Sequence, residues 1–124
     1  MKILIADDSA VMRKQLPFLL SEIEGAVVET AADGVEALRL FREFAPEVII
    51  LDIKMPRLNG IKVLQEIRRN DQSAIVIMFT ADSSLETHVI CLGSGANFFL
   101  DKVTELDRLL EICEREAFLR RDGE

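Results

Sequence analysis

The sequence of 124 residues predicts an α/β fold in which five β-α units build a doubly wound parallel sheet with helices on both faces. Short apolar runs rich in isoleucine and valine alternate strictly with longer amphipathic segments. Three of these runs are apolar almost throughout, which is typical of strands covered on both faces. The composition, with 49% hydrophobic and 30% charged residues, is that of a single globular domain large enough to bury a core without disulfides.

The five strands are predicted directly from the apolar runs. Residues 2–6 (KILIA), 47–51 (EVIIL) and 74–79 (AIVIMF) are the nearly continuous runs. Residues 26–31 (AVVETA) and 97–100 (NFFL) are weaker candidates, and we expect them nearer the edges of the sheet.

The first helix is predicted from Ser9, as N-cap, to about Ile23, with Gly25 beyond its end. Pro17 lies inside this segment and removes one intrahelical hydrogen bond, so we expect a kink or a shorter helix. The other helices are bounded by similar capping and breaking residues. They are Asp33 or Gly34 to Ala45-Pro46 for the second, Asn59-Gly60 at the start of the third, Asp82 or Ser83 to about 93–95 for the fourth, and Thr104 at the start of the fifth.

Charge and cysteine content exclude several classes of protein. The net charge is 15 − 22 = −7, which argues against a nucleic-acid partner. No apolar run is long enough for a membrane span, and acidic residues follow the first strand too early for a signal peptide. Cys91 and Cys113 form neither a disulfide framework nor a metal-spaced pair. Two reduced thiols in a cytoplasmic protein are the expectation.

Polar residues follow four of the predicted strands. Asp7-Asp8 follow the first strand, Asp52 the third, Thr80 the fourth and Lys102 the fifth. Ligands of such sheets bind beyond the carboxyl ends of the strands, so we expect these side chains to converge there. Crowded carboxylates require a cation, and oxygen ligands with retained water suit Mg²⁺.

This set of side chains contains the parts needed for phosphoryl transfer. An aspartate can attack phosphorus and become an acyl phosphate, while a lysine and a threonine hydroxyl bind phosphoryl oxygens. Each residue alone has an ordinary alternative: Asp7 or Asp8 as a helix cap, Asp52 in a turn, Thr80 at a strand end and Lys102 as a surface charge. The prediction depends on all of them falling at strand ends of one sheet.

The sequence also resembles the receiver domain of two-component response regulators, especially the stand-alone chemotaxis type. The similarity runs essentially from end to end, and its implied fold is the flavodoxin-like (βα)5 fold with strand order 2-1-3-4-5. It implies one receiver domain over residues 1–124 with no output domain in this chain. The matching segments are ILIADDS at 3–9, ADG at 32–34, EVIILDIKMPRLNG at 47–60, IVIMFTA at 75–81 and GANFFLDK at 95–102.

The resemblance implies a role for each residue at the strand ends. Asp52 corresponds to the phosphoacceptor and Lys102 to the lysine that contacts the phosphoryl group. Asp7 and Asp8 correspond to the acidic pair that holds Mg²⁺, with Mn²⁺ as an alternative. Asp52 and the backbone carbonyl of Lys54 would complete the metal ligands.

The resemblance further implies a switch and partners. Thr80 corresponds to the hydroxyl residue that moves to the phosphoryl group, and Phe99 to the aromatic residue that then turns inward. A sensor histidine kinase or phosphotransfer protein would supply the phosphoryl group. A downstream protein would bind the face of helix 4, strand 5 and helix 5, with the chain a monomer or a phosphorylation-dependent homodimer. Catalysis would be limited to the domain's own phosphorylation and dephosphorylation.

Two departures from the family pattern concern the predicted fifth strand. Val103 stands where the family usually has proline, often across a cis bond, so we expect a trans bond and a differently shaped turn. Asn97-Phe98 replaces an acidic pair, which makes this edge more apolar. By strand alternation Phe98 and Phe99 point to opposite faces, so one of them is ordinary packing.

Other departures lie near the phosphoacceptor. Asn59 stands where aspartate is more common. Lys54 and Asp82 occupy positions that tune hydrolysis in the family, and a salt bridge between them would shield the acyl phosphate from water. His88, the only histidine, is expected at the surface. The charged segment 115–124 is expected to be a solvated helix end.

Three alternatives remain open. An Mg²⁺-dependent phosphatase or phosphotransferase would need a second acid two residues after its nucleophile, where this chain has Lys54. A flavin- or nucleotide-binding module needs a glycine- or hydroxyl-rich phosphate loop, where this chain has Asp7-Asp8. A degenerate receiver that takes no phosphate is disfavoured because all the expected site residues are present.

Overall fold

Five parallel strands and five helices alternate along the chain, in a computed structural model that describes residues 1–122. The elements are β1 (Lys2–Ala6), α1 (Ala10–Leu20), β2 (Val27–Ala31), α2 (Gly34–Phe44), β3 (Val48–Leu51), α3 (Gly60–Asn70), β4 (Ile75–Thr80), α4 (Leu85–Gly93), β5 (Phe98–Asp101) and α5 (Leu106–Asp122). The strand order is β2-β1-β3-β4-β5. The predicted doubly wound fold and its strand order are confirmed, and each strand boundary lies within one residue of its predicted position.

The sheet separates two apolar cores, because successive residues of a strand face opposite sides. Within β1, Leu4 contributes to the core beneath α2, α3 and α4, whereas Ile3 and Ile5 contribute to the core beneath α1 and α5. All three side chains are fully buried. Helices on both faces bury the sheet completely at its centre, so polar side chains that follow the strands collect at its ends.

The first helix is shorter than its predicted extent to Ile23. It ends at Leu20, and the N–H of Ser21 is shared between the carbonyls of Pro17 and Phe18, an arrangement common at helix ends. The shorter helix expected from Pro17 is thus observed, with the proline itself inside the last turns of α1. None of the helices among the described residues has the length and apolar character needed to cross a bilayer.

The predicted cap of the fourth helix is wrong by one or two residues. Ser84, rather than Asp82 or Ser83, is the N-cap of α4, and its Oγ accepts the backbone N–H of Thr87. Asp82 lies too early because its carboxylate accepts the backbone N–H of Ser84 itself. The residues after β4 therefore form a turn before the helix begins.

The predicted start of the fifth helix is also wrong. Thr104 does not cap α5, because it lies two residues before the first helical residue, and its backbone N–H donates to the carboxylate of Asp101. The helix begins at Leu106, and the carbonyl of Glu105 accepts the N–H of Leu109. The helix extends to residue 122, and the last part of the expected helix end, residues 123–124, lies outside the described residues.

Candidate functional site

The structure brings three carboxylates together at the carboxyl end of the sheet. Ala6 and Leu51 are partners in the β1–β3 register, so Asp7 and Asp52 follow neighbouring strands at the same level. Asp7 is 2% exposed and Asp52 is 6% exposed, while Asp8 is exposed to solvent. One oxygen from each of the three carboxylates lies within 4.8 Å of the others.

Backbone hydrogen bonds hold the two buried acids in place. The N–H of Asp7 donates to the carbonyl of Ala31, and the N–H of Asp52 donates to the carbonyl of Ala6. Each bond continues the hydrogen bonding of the sheet one residue past the strand. The positions of these carboxylates are therefore set by the sheet rather than by a loop.

Lys102 connects the two buried acids. Its Nζ lies 2.7 Å from Asp7 Oδ2 and 2.8 Å from Asp52 Oδ2. Burial acts to lower the pKa of Lys102, but its hydrogen bonds to Asp52 and Asp7 outweigh burial and raise the pKa. Burial raises the pKa of Asp7, against the opposing effects of Lys102 and of the Ser9 N–H. The lysine remains charged at neutral pH and neutralises one of the three acids.

The acidic group fits a divalent cation. Three ionised carboxylates and one ammonium group give these four side chains a net charge of −2. Asp8 and Asp52 border an open cleft of about 480 Å³, which has room for a hydrated ion. Carboxylate oxygens with retained water are the ligands that Mg²⁺ prefers. The cleft is lined by Asp8, Asp52, Lys54, Thr80, Ala81 and Asp82.

Thr80 links this cleft to α4 through hydrogen bonds. The buried Thr80 Oγ1 accepts the backbone N–H of Asp82 at 3.2 Å. The carboxylate of Asp82 accepts the Ser84 N–H and the Thr87 hydroxyl of the α4 cap. These bonds hold the pKa of Asp82 below its usual range, chiefly through the backbone and side chain of Ser84. A displacement of Thr80 would therefore disturb the start of α4.

The hypothesis of a salt bridge between Lys54 and Asp82 is not supported. Among the described residues, no ion pair joins them. Asp82 is already engaged by Ser84 and Thr87, and Lys54 is exposed, although its charge still contributes to the lowered pKa of Asp82. Both residues line the cleft together with Asp52.

The two phenylalanines of β5 point to opposite faces, as alternation predicts. Phe98 packs against the core beneath α1 and α5, and Phe99 packs against the core beneath α2, α3 and α4. His88 was expected at the surface but is half-buried. Its ring stacks on Phe99 with centroids 4.7 Å apart and an interplanar angle of 11°. The local sequence pattern does not predict this contact, because it joins residues of two different elements.

Gly60 is a further residue of the site that the sequence indicated only as a helix start. A Cβ at this position would lie 2.0 Å from the carbonyl oxygen of Asp52. The N–H of Gly60 donates to the carbonyl of Ile53 at 2.8 Å. The start of α3 thus lies directly against the backbone of Asp52, and only glycine permits this approach.

Comparison with known proteins decides the family. The model of the response regulator receiver domain matches residues 3–114. The chain belongs to this family. The chain is therefore a response regulator receiver domain of the kind found in two-component systems.

Two relatives that this chain resembles differ in how much of their length the match covers. The chain is 35% identical over 117 residues to the chemotaxis protein CheY of Listeria monocytogenes, covering 94% of this chain and 98% of that protein. It is 37% identical over 121 residues to the response regulator MprA of Mycobacterium avium, covering 98% of this chain but only 52% of MprA. The match therefore includes nearly all of one relative and about half of the other.

Solved structures show the same fold. A CheY-like receiver domain protein of Methanospirillum hungatei gives a TM-score of 0.87 at 28% identity, covering 99% of this chain and 98% of that one. CheY of Borrelia burgdorferi, in a structure described as a CheX-CheY-BeF3-Mg+2 complex, gives a TM-score of 0.79 at 34% identity, covering 90% and 88%.

Proposed function

We propose that Asp52 accepts a phosphoryl group from a phosphorylated histidine of a sensor kinase or phosphotransfer protein. The observation that carries this proposal is the meeting of Asp7, Asp8 and Asp52 beside Lys102 at the end of the sheet. A carboxylate oxygen of Asp52 attacks phosphorus, the P–N bond to the donor histidine breaks, and an acyl phosphate forms. Residues 1–124 act in this proposal as a single receiver domain.

The side chains divide the work of the transfer. Asp7, Asp8, Asp52 and the carbonyl of Lys54 would hold Mg²⁺, which when bound neutralises charge on the carboxylates and on the phosphoryl oxygens. Lys102 exchanges its ion pair with Asp52 for a phosphoryl oxygen, because the carboxylate loses its charge when it becomes part of the acyl phosphate. Positioning and charge neutralisation account for most of phosphoryl-transfer catalysis, so no further acid or base is required.

The phosphoryl group would then change the face formed by α4, β5 and α5. The Thr80 hydroxyl moves to a phosphoryl oxygen and gives up the N–H of Asp82. This movement shifts the turn that caps α4 and leaves space into which Phe99 turns, which breaks its stack with His88. A downstream protein, or a second phosphorylated copy, would bind the altered face. The CheX complex of a relative that is 34% identical supports a protein as the target.

The deciding experiment uses acetyl phosphate as a small phosphodonor. The protein is incubated with Mg²⁺ and acetyl phosphate, and any added mass is mapped by mass spectrometry. We expect one phosphoryl group on Asp52, no label in Asp52→Asn and none with a chelator. Asp71→Asn, at the opposite end of the sheet, is the matched control and should label normally.

Other outcomes favour the alternatives. Sustained turnover of many small phosphate esters would indicate a phosphatase, and flavin retained on purification would indicate a nucleotide-binding module. Absence of any label would indicate a degenerate receiver. The role of Lys54 in hydrolysis has its own test: an unchanged half-life of the acyl phosphate in Lys54→Ala would remove that role.

A further inference from the structure

We propose that Asp101 is a positioning residue that fixes the backbone on both sides of Lys102 and so directs its ammonium group to Asp7 and Asp52. This inference rests on the proposed function, in which Lys102 contacts the phosphoryl group. Asp101 touches neither carboxylate partner of that lysine in the hydrogen bonds of the structure, and it acts only through the backbone.

The turn between β5 and α5 is organised by the Asp101 carboxylate. Its Oδ1 accepts the backbone N–H of Val103 at 2.7 Å and that of Thr104 at 3.1 Å. In return, the N–H of Asp101 donates to Glu105 Oε1 at 2.9 Å, and its carbonyl accepts the N–H of Glu105 at 2.9 Å. Four hydrogen bonds thus enclose Lys102 within a segment of five residues.

These hydrogen bonds fix a loop that has no proline ring at residue 103. No cis peptide bond occurs among the described residues, so the bond from Lys102 to Val103 is trans as expected. A proline ring would fix the φ angle at residue 103, whereas Val103 leaves this angle unrestricted. Val103 also has a backbone N–H that requires an acceptor. Asp101 supplies that acceptor, a use of aspartate that is common in turns.

The backbone of Lys102 is fixed from the other side by β4. Its N–H donates to the carbonyl of Thr80 at 2.9 Å, while Nζ reaches Asp7 and Asp52. The lysine side chain is long and flexible, so holding its ammonium group at one place costs conformational entropy. A fixed direction of the Cα–Cβ bond toward the partners lowers that cost. Removing the Asp101 carboxylate breaks the bonds to the N–H groups of Val103 and Thr104. The backbone of Lys102 is then held by its own N–H bond to Thr80 and by the two bonds between the backbone of residue 101 and Glu105.

The charge of Asp101 is also stabilised in this position. The neighbouring Ser83 hydroxyl, followed by the N–H groups of Val103 and Thr104, holds the pKa of Asp101 below its usual range. The carboxylate is therefore an acceptor throughout the neutral pH range. Ser83 belongs to the turn that follows Thr80, so the same carboxylate lies between the two loops that carry Thr80 and Lys102.

A second aspartate provides a matched control. Asp71 Oδ1 accepts the backbone N–H of Ser73 at 2.7 Å and that of Ala74 at 3.0 Å, which is the same turn with nearly the same distances. This turn lies at the amino end of the sheet, before β4. Asp71→Ala therefore removes an equivalent turn without affecting Lys102.

The experiment compares Asp101→Ala, Asp101→Asn and Asp71→Ala in two measurements. The first is the initial rate of Asp52 phosphorylation by acetyl phosphate at saturating Mg²⁺. The second is the ammonium signal of Lys102 in ¹H–¹⁵N spectra of the protein without metal, since that signal is seen only when the ammonium is held by its partners. We expect Asp101→Ala to lower the rate about tenfold and to weaken the signal, because displaced catalytic groups lose rate steeply.

Asp101→Asn keeps an acceptor oxygen and should recover both measurements to within about threefold, and Asp71→Ala should leave both near wild type. Equal rates and signals in Asp101→Ala and Asp71→Ala would overturn the proposal. If Asp101→Ala does not fold, Glu105→Ala removes the bond from the N–H of Asp101. It should lower the phosphorylation rate and weaken the Lys102 signal, each by less than is expected for Asp101→Ala. If the wild type takes no phosphoryl group, the proposed function fails, while the Lys102 signal still decides the role of Asp101.

Discussion

The two ends of the sheet both carry a cluster of polar side chains, but only one cluster is left with unbalanced charge. In the amino-end cluster, Arg68 donates to the carbonyls of Gly95 and Asp71 at 2.9 and 3.1 Å and to Asn97 Oδ1 at 2.8 Å. In the carboxyl-end cluster, Lys102 pairs with Asp7 and Asp52, and the carboxylate of Asp8 lies beside those two acids.

This difference separates a cluster in which the positive charge lies beside one carboxylate from a cluster that carries excess negative charge. In the amino-end cluster, the charge of Arg68 is accompanied by that of Asp71, whose Oδ1 accepts the N–H groups of Ser73 and Ala74. In the carboxyl-end cluster, close like charges raise the free energy of the protein until a cation neutralises them. Mutations in either cluster should therefore change the free energy of unfolding, but only the contribution of the carboxyl-end cluster should depend on Mg²⁺.

The largest expected effect tests how tightly the carboxyl end is built. Gly60→Ala places a Cβ against the carbonyl oxygen of Asp52, so we expect the free energy of unfolding to fall by about 3 kcal/mol. Gly93→Ala is the control, because its added Cβ meets no atom within 4 Å beyond its own helical turn and chain neighbours, and it should change stability by less than about 1 kcal/mol. Urea unfolding measures both. A loss below 1 kcal/mol in Gly60→Ala would mean that the backbone at Asp52 yields readily.

The next effect tests the charge difference directly. At an Mg²⁺ concentration one hundred times the dissociation constant, the wild type should gain about 2.7 kcal/mol in unfolding free energy. Asp8→Asn should lose most of this gain, because an exposed ligand is removed without creating a cavity in the core. Asp71→Asn should keep it. Thermal unfolding with Mg²⁺ and with a chelator provides the measurement, and an equal gain in both variants would contradict a metal site at Asp8.

A smaller effect is expected at the amino end. Arg68→Ala removes three hydrogen bonds from a charged donor and should lower the free energy of unfolding by about 2 kcal/mol. Its dissociation constant for Mg²⁺ should stay within about twofold of wild type, since the two clusters do not share a residue. Arg68→Lys should recover only part of the loss, because an ammonium group lacks the planar fork of donors. A large change in Mg²⁺ affinity of Arg68→Ala, measured by calorimetry, would contradict the independence of the two clusters.

The smallest effect concerns the face proposed to bind a target. His88→Ala removes the stack on Phe99 and should lower the unfolding free energy by about 1 kcal/mol. Val89→Ala on the exposed side of the same helix should cost less than about 0.5 kcal/mol. Denaturant titration of the two variants distinguishes them, and equal losses would show that the stack contributes nothing.

Local patterns were sufficient to predict the order of the elements and the end of the sheet where the acids lie. Continuous apolar runs mark buried parallel strands, and the residue after each run must emerge at the carboxyl end. Asp7, Asp52 and Thr80 could therefore be placed from the sequence alone. The cap of α4 and the start of α5 could not, because Asp82 and Asp101 compete for backbone N–H groups that a helix start would otherwise use.

The sequence by itself determined the fold class, the strand boundaries and the collection of acids at one end, since these follow from periodicity and from charge at strand ends. Only the tertiary structure decided that Lys102 bridges Asp7 and Asp52, that Lys54 makes no pair with Asp82, and that His88 stacks on Phe99. Long or rotatable side chains choose partners from distant segments according to distance and burial, and neither quantity is written in the local pattern.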